Sequence, residues 1–142
     1  MIRKSASALW IGDLKSGTGN ISTESGVLDT SPYGFNTRFE GEKGTNPEEL
    51  IAAAHAGCFS MALSAELGKA GITADRINAT ATVHLDKDGD GFSITRSALA
   101  VTVVATGADK PTVEAAARAA ETGCPVSKVL NAEITLELSV EV

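Results

Sequence analysis

Positive charge is in short supply in this chain. Its 142 residues contain 12 lysines and arginines against 18 aspartates and glutamates, which gives a formal net charge of −6. Because nucleic-acid-binding domains usually carry a basic surface, the composition argues against a nucleic-acid partner. Long apolar runs are missing as well, since no stretch of about 18 apolar residues, the length of a membrane span, lacks charged or polar interruptions. We therefore expect no membrane partner.

Cysteine is scarce, and the N-terminus lacks the features of an export signal. The first residues, MIRKSASALWIGD, include basic side chains but no apolar run long enough for export. We therefore expect a cytoplasmic protein, in which a permanent structural disulfide would be unusual. The two cysteines, Cys58 and Cys124, are then buried bystanders, metal ligands or a working redox pair.

The length and the 43% apolar content predict one domain over residues 1–142. Strands are predicted at residues 5–11, 18–23, 35–40, 76–85, 92–105 and 132–142, and helices at 47–69, 111–122 and the CPVSKVL segment. This order of elements is typical of an α+β fold, with antiparallel pairing expected for the hairpin of residues 76–105.

The helix of residues 47–69 has the clearest boundaries. Asn46 can cap it, Pro47 suits the first helical position, and Gly71 supplies the stop. It is rich in alanine and apolar nearly all round, which is typical of a helix enclosed on most sides. In the strand of residues 92–105 the apolar parity changes near 95–98, which predicts a bulge.

One acidic segment resembles a calcium-binding loop but lacks a ligand that such a loop requires. Asp86, Asp88 and Asp90 match the start of a calcium-binding loop, yet the twelfth position is Ser97 where a bidentate acid is needed. Strands, rather than helices, are predicted on both sides. The pattern therefore favours a solvated hairpin turn.

The two cysteines occupy different predicted environments. Cys124 precedes Pro125 at a helix start, where unpaired N–H groups and the helix dipole favour a thiolate, although a small polar cap without chemistry would fit equally well. Cys58 lies within an apolar helix, where burial raises the pKa of a thiol, so reactivity requires a cation or donor nearby. His55 lies on the same face, but no second Cys/His pair completes a metal site.

Arg38 is a stronger candidate partner for Cys58 than His55. Its guanidinium is always charged and offers a planar fork of donors, which would stabilise a thiolate and orient a peroxide oxygen. Glu48 or Glu49 could fix the arginine by a carboxylate bridge, although Glu49 suits the first turn of a helix for electrostatic reasons alone.

The chain resembles the OsmC branch of the OsmC/Ohr superfamily over nearly its whole length. The resemblance rests on Asn36-Thr37-Arg38-Phe39, on Gly44-Thr45-Asn46-Pro47-Glu48-Glu49-Leu50, on Ala53-Ala54-His55-Ala56-Gly57-Cys58-Phe59, and on Gly123-Cys124-Pro125-Val126-Ser127. Two separate cysteine motifs in the expected elements make it more specific than either motif alone.

The resemblance implies a thiol-dependent peroxidase that reduces organic hydroperoxides and, more slowly, hydrogen peroxide. It implies a peroxidatic Cys58, a resolving Cys124, an activating Arg38 and a Glu48 that holds the arginine. It further implies stress induction and an intertwined homodimer, with antiparallel-rich sheets wrapped around long central helices and active sites at the interface. We expect no metal, haem or flavin cofactor, and an external thiol as reductant.

Several alternatives stay open at this point. Phe35, Phe39, Phe59 and Met61 could line an apolar substrate pocket, or they could be plain core residues. Ten helical residues separate Glu48 from Cys58 by about 15 Å, so Glu48 must serve the thiol through a long arginine or from a partner subunit. A ligand-binding module and a thiol–disulfide exchange protein are the rival functions, although the cysteines do not form a Cys-x-x-Cys element.

Overall fold

Six strands and four helices follow one another along residues 1–142, all of which the computed structural model describes. The strands are β1 (Ala6–Ile11), β2 (Thr18–Thr23), β3 (Ser31–Tyr33), β4 (Arg76–Asp88), β5 (Gly91–Val104) and β6 (Glu133–Glu141). The helices are α1 (Phe35–Phe39), α2 (Pro47–Lys69), α3 (Lys110–Gly123) and α4 (Pro125–Val129). The predicted α+β class is confirmed. The chain forms two compact units, Met1–Leu50 and Ile51–Val142.

The first unit contains an antiparallel sheet in the order β1-β2-β3. Trp10 and Tyr33 pack across it, with ring centroids 5.5 Å apart. Gly19 makes this contact possible, because a Cβ there would lie 2.5 Å from Tyr33 Cε1 and 2.7 Å from Trp10 Cε3. The third strand of this sheet, β3, is not among the strands that the sequence pattern predicts.

The predicted strand at residues 35–40 is wrong, because this segment forms helix α1. The alternation of Phe35, Thr37 and Phe39 is typical of a strand, but the two phenylalanines also fit one helical turn, and their ring centroids lie 4.9 Å apart. The Thr37 hydroxyl accepts a hydrogen bond from the Gly34 N–H at 2.9 Å and lies 2.8 Å from the Thr45 carbonyl. These local contacts favour the helix over extended pairing.

Helix α2 has the predicted bounds and the predicted cap. The Glu49 N–H donates to Asn46 Oδ1 at 2.8 Å, and Gly71 follows the helix with a φ of 73°. Within the chain, α2 buries one stripe at four-residue spacing: His55, Phe59, Leu63 and Leu67. By length and composition α2 could also cross a membrane, which is weak support for a span because core helices of soluble proteins share this character.

The second unit contains a sheet in the order β4-β5-β6. The β4–β5 pair is antiparallel as predicted, and both strands continue to a tight turn between Asp88 and Gly91. His84 pairs with Arg96 and Leu85 with Ile94, so Thr95 is the extra residue of the predicted bulge. Strand β6 pairs in parallel with β5, so α3 and α4 form the crossover between them.

The core of the second unit lies between this sheet and the helices. Asp109 caps α3 by accepting from the Thr112 N–H at 3.2 Å. The fully or almost fully buried members of the core are Phe59, Leu63, Leu67, Leu99, Val101, Val103, Ala105, Val113, Ala117, Ala120 and Cys124. One of the two cysteines is thus part of the apolar core itself.

Candidate active site

The two thiols meet inside the second unit. Cys58 is half-buried on α2, and Cys124 is fully buried where α3 ends and α4 begins. Both are free, and their sulfurs hydrogen-bond to each other. The prediction that Cys124 caps a helix is confirmed, since its carbonyl accepts the Lys128 N–H at 3.1 Å.

The start of α4 surrounds the pair with donors. The Val126 N–H bonds to both sulfurs, and Ser127 offers its N–H and its hydroxyl to Cys124. Burial raises the pKa of Cys124, but the hydrogen bonds from Cys58, Ser127 and Val126 together outweigh it, so the pKa of Cys124 lies below its ordinary value. The start of α4 therefore favours a thiolate at Cys124.

Cys58 has the opposite balance. Burial raises its pKa, the hydrogen bond with Cys124 raises it further, and the Val126 N–H offsets this in part. The groups acting on its sulfur within the unit are thus a thiol and a backbone N–H, and none of them is a cation. A Cys58 thiolate requires positive charge from another source.

Behind Cys124 lies a chain of buried polar side chains. His55 is fully buried; its Nδ1 lies 2.6 Å from Ser97 Oγ and its Nε2 lies 2.8 Å from Ser127 Oγ. Burial lowers the pKa of His55, so the ring is neutral near pH 7. Because both ring nitrogens are engaged by serines, the imidazole offers no free nitrogen to a metal.

Arg38 and Glu48 are brought together in the first unit. Arg38 Nη2 lies 2.6 Å from Glu48 Oε1, and Nε lies 3.1 and 3.2 Å from the two carboxylate oxygens. Such a two-nitrogen contact fixes the plane of the guanidinium. The partner of Arg38 is therefore Glu48 rather than Glu49, whose N–H takes the Asn46 cap. Nη1 has no hydrogen-bond partner within the chain.

An apolar pocket of about 300 Å³ opens beside Arg38 in the first unit. It is lined by Trp10, Leu14, Tyr33, Gly34, Phe35, Arg38, Phe39 and Pro47. The guanidinium lies over the Phe39 ring at 5.3 Å from its centroid. The structure thus places Phe35 and Phe39 around the arginine.

The other two predicted pocket residues lie elsewhere. Phe59 is fully buried in the core of the second unit, and Met61 is 78% exposed on α2. Ser97 and Ser127 were missed as members of the site. The signal for them was His55 itself, because a histidine in an alanine-rich buried stripe needs polar partners.

Comparisons with known proteins identify the family. The model of the family described as "OsmC-like protein" matches residues 40–139. The chain is 60% identical to "Peroxiredoxin OsmC" of Escherichia coli K12 over 136 residues, covering 96% of this chain and 95% of that protein. It is 33% identical to "Organic hydroperoxide resistance protein OhrB" of Bacillus subtilis over 123 residues, covering 84% and 88%.

Solved structures give the same answer. The crystal structure of OhrB from B. subtilis superposes with a TM-score of 0.70 at 31% identity, covering 96% of this chain and 98% of that one. An organic hydroperoxide resistance protein OsmC from Legionella pneumophila superposes with a TM-score of 0.68 at 28% identity, covering 97% of each chain. The fold and the thiol site therefore define a member of the OsmC/Ohr superfamily. Within that superfamily, the chain belongs to the OsmC-like family.

Proposed function

We propose that this protein is a thiol-dependent peroxidase that reduces organic hydroperoxides to alcohols, and hydrogen peroxide more weakly. The observation that carries the proposal is the pair of hydrogen-bonded free thiols, Cys58 on α2 and Cys124 at the start of α4. The 60% identity to a protein named as a peroxiredoxin, over nearly all of both chains, supports the same activity.

The cycle has two chemical steps. The Cys58 thiolate attacks one oxygen of the peroxide, the O–O bond breaks, and the alkoxide leaves and takes up a proton, which leaves a sulfenic acid on Cys58. The Cys124 thiolate then attacks that sulfur, the S–O bond breaks, and the leaving hydroxide is protonated to water. An external thiol reduces the resulting disulfide. The mutual hydrogen bond of the two thiols supports this pairing, because it brings the sulfurs together before oxidation.

Arg38 supplies the positive charge in this proposal. Cys58 lacks a cation within its own unit, and Arg38 keeps Nη1 unpaired while Glu48 fixes the rest of the guanidinium. A fixed guanidinium with a spare donor can stabilise a thiolate and bind a peroxide oxygen. We assign Arg38 and Glu48 to the site on this ground and on the family resemblance.

The substrate is an apolar hydroperoxide in this proposal. The pocket beside Arg38 is lined by aromatic side chains, among them Phe35, Phe39 and Trp10. Such walls bind alkyl or aryl groups and leave the guanidinium as the polar contact for the peroxide. Phe59 and Met61 are assigned a lesser part, since one is a core residue and the other is exposed.

We also propose the intertwined homodimer, with Met61 at its interface. The face of α2 opposite the buried stripe is apolar, small and exposed, and it includes Ala54, Gly57, Met61 and Ala65. A Cβ on Gly57 or on Gly68 would meet nothing within 4 Å in this chain. Glycine within a helix costs about 1 kcal/mol relative to alanine, so close approach by a second copy of α2 gives these glycines a reason.

The remaining parts of the proposal follow from the sequence. Residues 1–142 act as a single OsmC-like domain, the protein resides in the cytoplasm, and the reductant is an external thiol. No metal or organic cofactor takes part in the cycle, because the sulfur atoms carry the electrons.

Intact mass spectrometry after one equivalent of cumene hydroperoxide tests the activity. Reduced wild type should lose two hydrogens, Cys124→Ser should gain one trappable oxygen at Cys58, and Cys58→Ser should remain unchanged. Peroxide-independent cycling with protein thiols would instead indicate a disulfide exchange protein. Unchanged thiols in wild type would refute the peroxidase and favour a ligand-binding module.

A further inference from the structure

The chain of side chains behind Cys124 has only two consistent arrangements of protons. If His55 carries its proton on Nε2, that nitrogen donates to Ser127 Oγ, and Nδ1 accepts from the Ser97 hydroxyl. The single hydroxyl proton of Ser127 is then free to point at the Cys124 sulfur. If His55 carries its proton on Nδ1, Ser127 must donate to Nε2, and the sulfur must itself be the donor.

Only the first arrangement fits a Cys124 thiolate. A thiolate can only accept hydrogen bonds, so it fits the first arrangement. A thiol can donate to Ser127 or accept weakly from it, so it fits either arrangement. All members are fully or nearly fully buried, with His55 and Ser97 at 0% exposure and Ser127 at 9%. Solvent therefore does not compensate for a misdirected hydroxyl.

We propose that His55 is a positioning residue for Cys124: its Nε2–H holds the Ser127 hydroxyl in the orientation that donates to the Cys124 sulfur and favours the thiolate. This inference rests on the proposed function, in which that thiolate attacks the Cys58 sulfenic acid. In that step the S–S bond forms, the S–O bond breaks, and the hydroxide takes up the proton that Cys124 released earlier. The network thus prepares the second step of the cycle.

The other ionisable groups near Cys124 do not offer this support. Cys58 on α2 donates its own hydrogen bond to Cys124 in the reduced pair, but it has no proton to give once it is the electrophilic sulfenic sulfur. Glu121 of α3 is engaged by Arg118 at 3.2 Å, and Lys128 of α4 is exposed. Ser127, supported by His55, is the side-chain donor that persists through the step.

The first test measures Cys124 alone. In a Cys58→Ser background Cys124 is the one remaining thiol, and its ionisation can be followed by the ultraviolet absorbance of the thiolate against pH. Ser127→Ala should lower the thiolate fraction at a fixed pH below the midpoint by about tenfold, since a hydrogen bond to a charged group is lost. His55→Leu should lower it by less, and His55→Gln should restore it because an amide can donate to Ser127 and accept from Ser97.

Two further variants separate positioning from a general effect on structure. Ser60→Ala removes a serine of the same helix whose hydroxyl donates to the Ala56 carbonyl at 2.8 Å, outside the network. It should leave the titration unchanged. In a Ser127→Ala background, His55→Leu should have no additional effect, because His55 acts through that hydroxyl.

The second test follows the two steps in the full two-cysteine protein after a single addition of cumene hydroperoxide. Ser127→Ala should oxidise Cys58 at the wild-type rate and form the disulfide about tenfold more slowly near pH 7, with recovery at higher pH. An unchanged Cys124 titration in Ser127→Ala and His55→Leu would overturn the proposal. So would an effect of His55→Leu that persists without the Ser127 hydroxyl. Failure of wild type to react with peroxide would refute the peroxidase, while the titration would still decide the role of His55.

Discussion

In the proposed cycle, Arg38 provides what Cys58 lacks within its own unit, a fixed positive charge. Glu48 occupies Nε and Nη2 of the guanidinium and leaves Nη1 for the site. The function of this residue therefore depends on the shape of the fork as well as on charge. A lysine retains the charge but cannot bind a carboxylate in this geometry and a peroxide at the same time.

Arg38→Lys should slow the oxidation of Cys58 by cumene hydroperoxide by about a hundredfold, the usual cost of a lost oxyanion donor. Stopped-flow measurement of thiol loss would show this. Arg118→Lys is the matched control, because Arg118 also pairs with a carboxylate, that of Glu121, and is not part of the proposed site. Equal rates for Arg38→Lys and Arg118→Lys would remove Arg38 from the mechanism.

His55 also makes stability depend on pH. Burial lowers its pKa below the ordinary value of 6.5, so below pH 6.5 the unfolded chain binds a proton that the folded chain does not. The contribution is therefore complete above this pH and is lost as the pH falls toward the lowered folded-state pKa. Urea unfolding at fixed protein concentration should show a smaller decline below pH 6.5 for His55→Gln than for wild type.

The control for this experiment is His84→Gln. This variant removes the other histidine and leaves the buried ring of His55 in place. It should retain the wild-type decline. A decline in His55→Gln as steep as in wild type would mean that groups other than His55 account for the acid sensitivity.

At the scale of elements, α2 has two faces with different roles. One face carries the stripe from His55 to Leu67 and is buried within the chain. The opposite face is small and apolar, and it contains glycines that the chain itself does not require. Helix propensity alone predicts that alanine at these glycines stabilises a monomer.

Gly57→Ala distinguishes a face of α2 that packs against a second copy from a face that is simply exposed. If α2 packs against a second copy, the added methyl group should weaken association, which sedimentation equilibrium would detect as a raised dissociation constant. If the face is simply exposed, the variant should gain up to about 1 kcal/mol in unfolding free energy with no change in association. Ser64→Ala, an exposed position on the same helix, controls for helix propensity.

The elements also show what sequence patterns can and cannot reveal. The bounds of α2 were predictable because Asn46, Pro47 and Gly71 mark its ends, and the Thr95 bulge was predictable from the change in apolar parity. Helix α1 was not, since one helical turn and a short strand place Phe35 and Phe39 equally well. The parallel pairing of β6 was not, because alternation within a strand does not specify its neighbour.

The same contrast holds for the candidate site. The position of Cys124 before Pro125 predicted a helix start, and the structure confirms this prediction. The residues alone could not decide whether Glu48 or Glu49 binds Arg38, since both lie in the first turn of α2, and only the family resemblance favoured Glu48. Ser97 and Ser127 lie 42 and 72 positions from His55, and only the tertiary fold brings such distant residues together.

In the proposed homodimer, two chains could supply Arg38 to a given thiol: the chain that carries the thiol, or its partner. Mixing two inactive variants decides it. In a mixed dimer of Arg38→Ala and Cys58→Ser chains, one site regains both functional groups only if Arg38 serves the partner's thiol. Random mixing should then restore about a quarter of wild-type activity, since half of the dimers are mixed and each has one intact site.

The measurement is steady-state turnover of cumene hydroperoxide after the variants are mixed under mild dissociating conditions and returned to buffer. Each variant treated alone is the control and should stay inactive. No recovery in the mixture, with mixed dimers verified by mass spectrometry, would assign Arg38 to the thiol of its own chain.

The parallel pairing of β5 and β6 has a consequence for biosynthesis. Cys124 belongs to the crossover between these strands, and β6 closes that crossover. Because translation proceeds from the N-terminus, α2 and Cys58 leave the ribosome before β6 is available to close the sheet. A nascent chain that meets an oxidant therefore exposes Cys58, the proposed peroxidatic residue, before Cys124 is in position. The Cys58–Cys124 disulfide of the proposed cycle can therefore form only after β6 has paired with β5 and fixed the crossover.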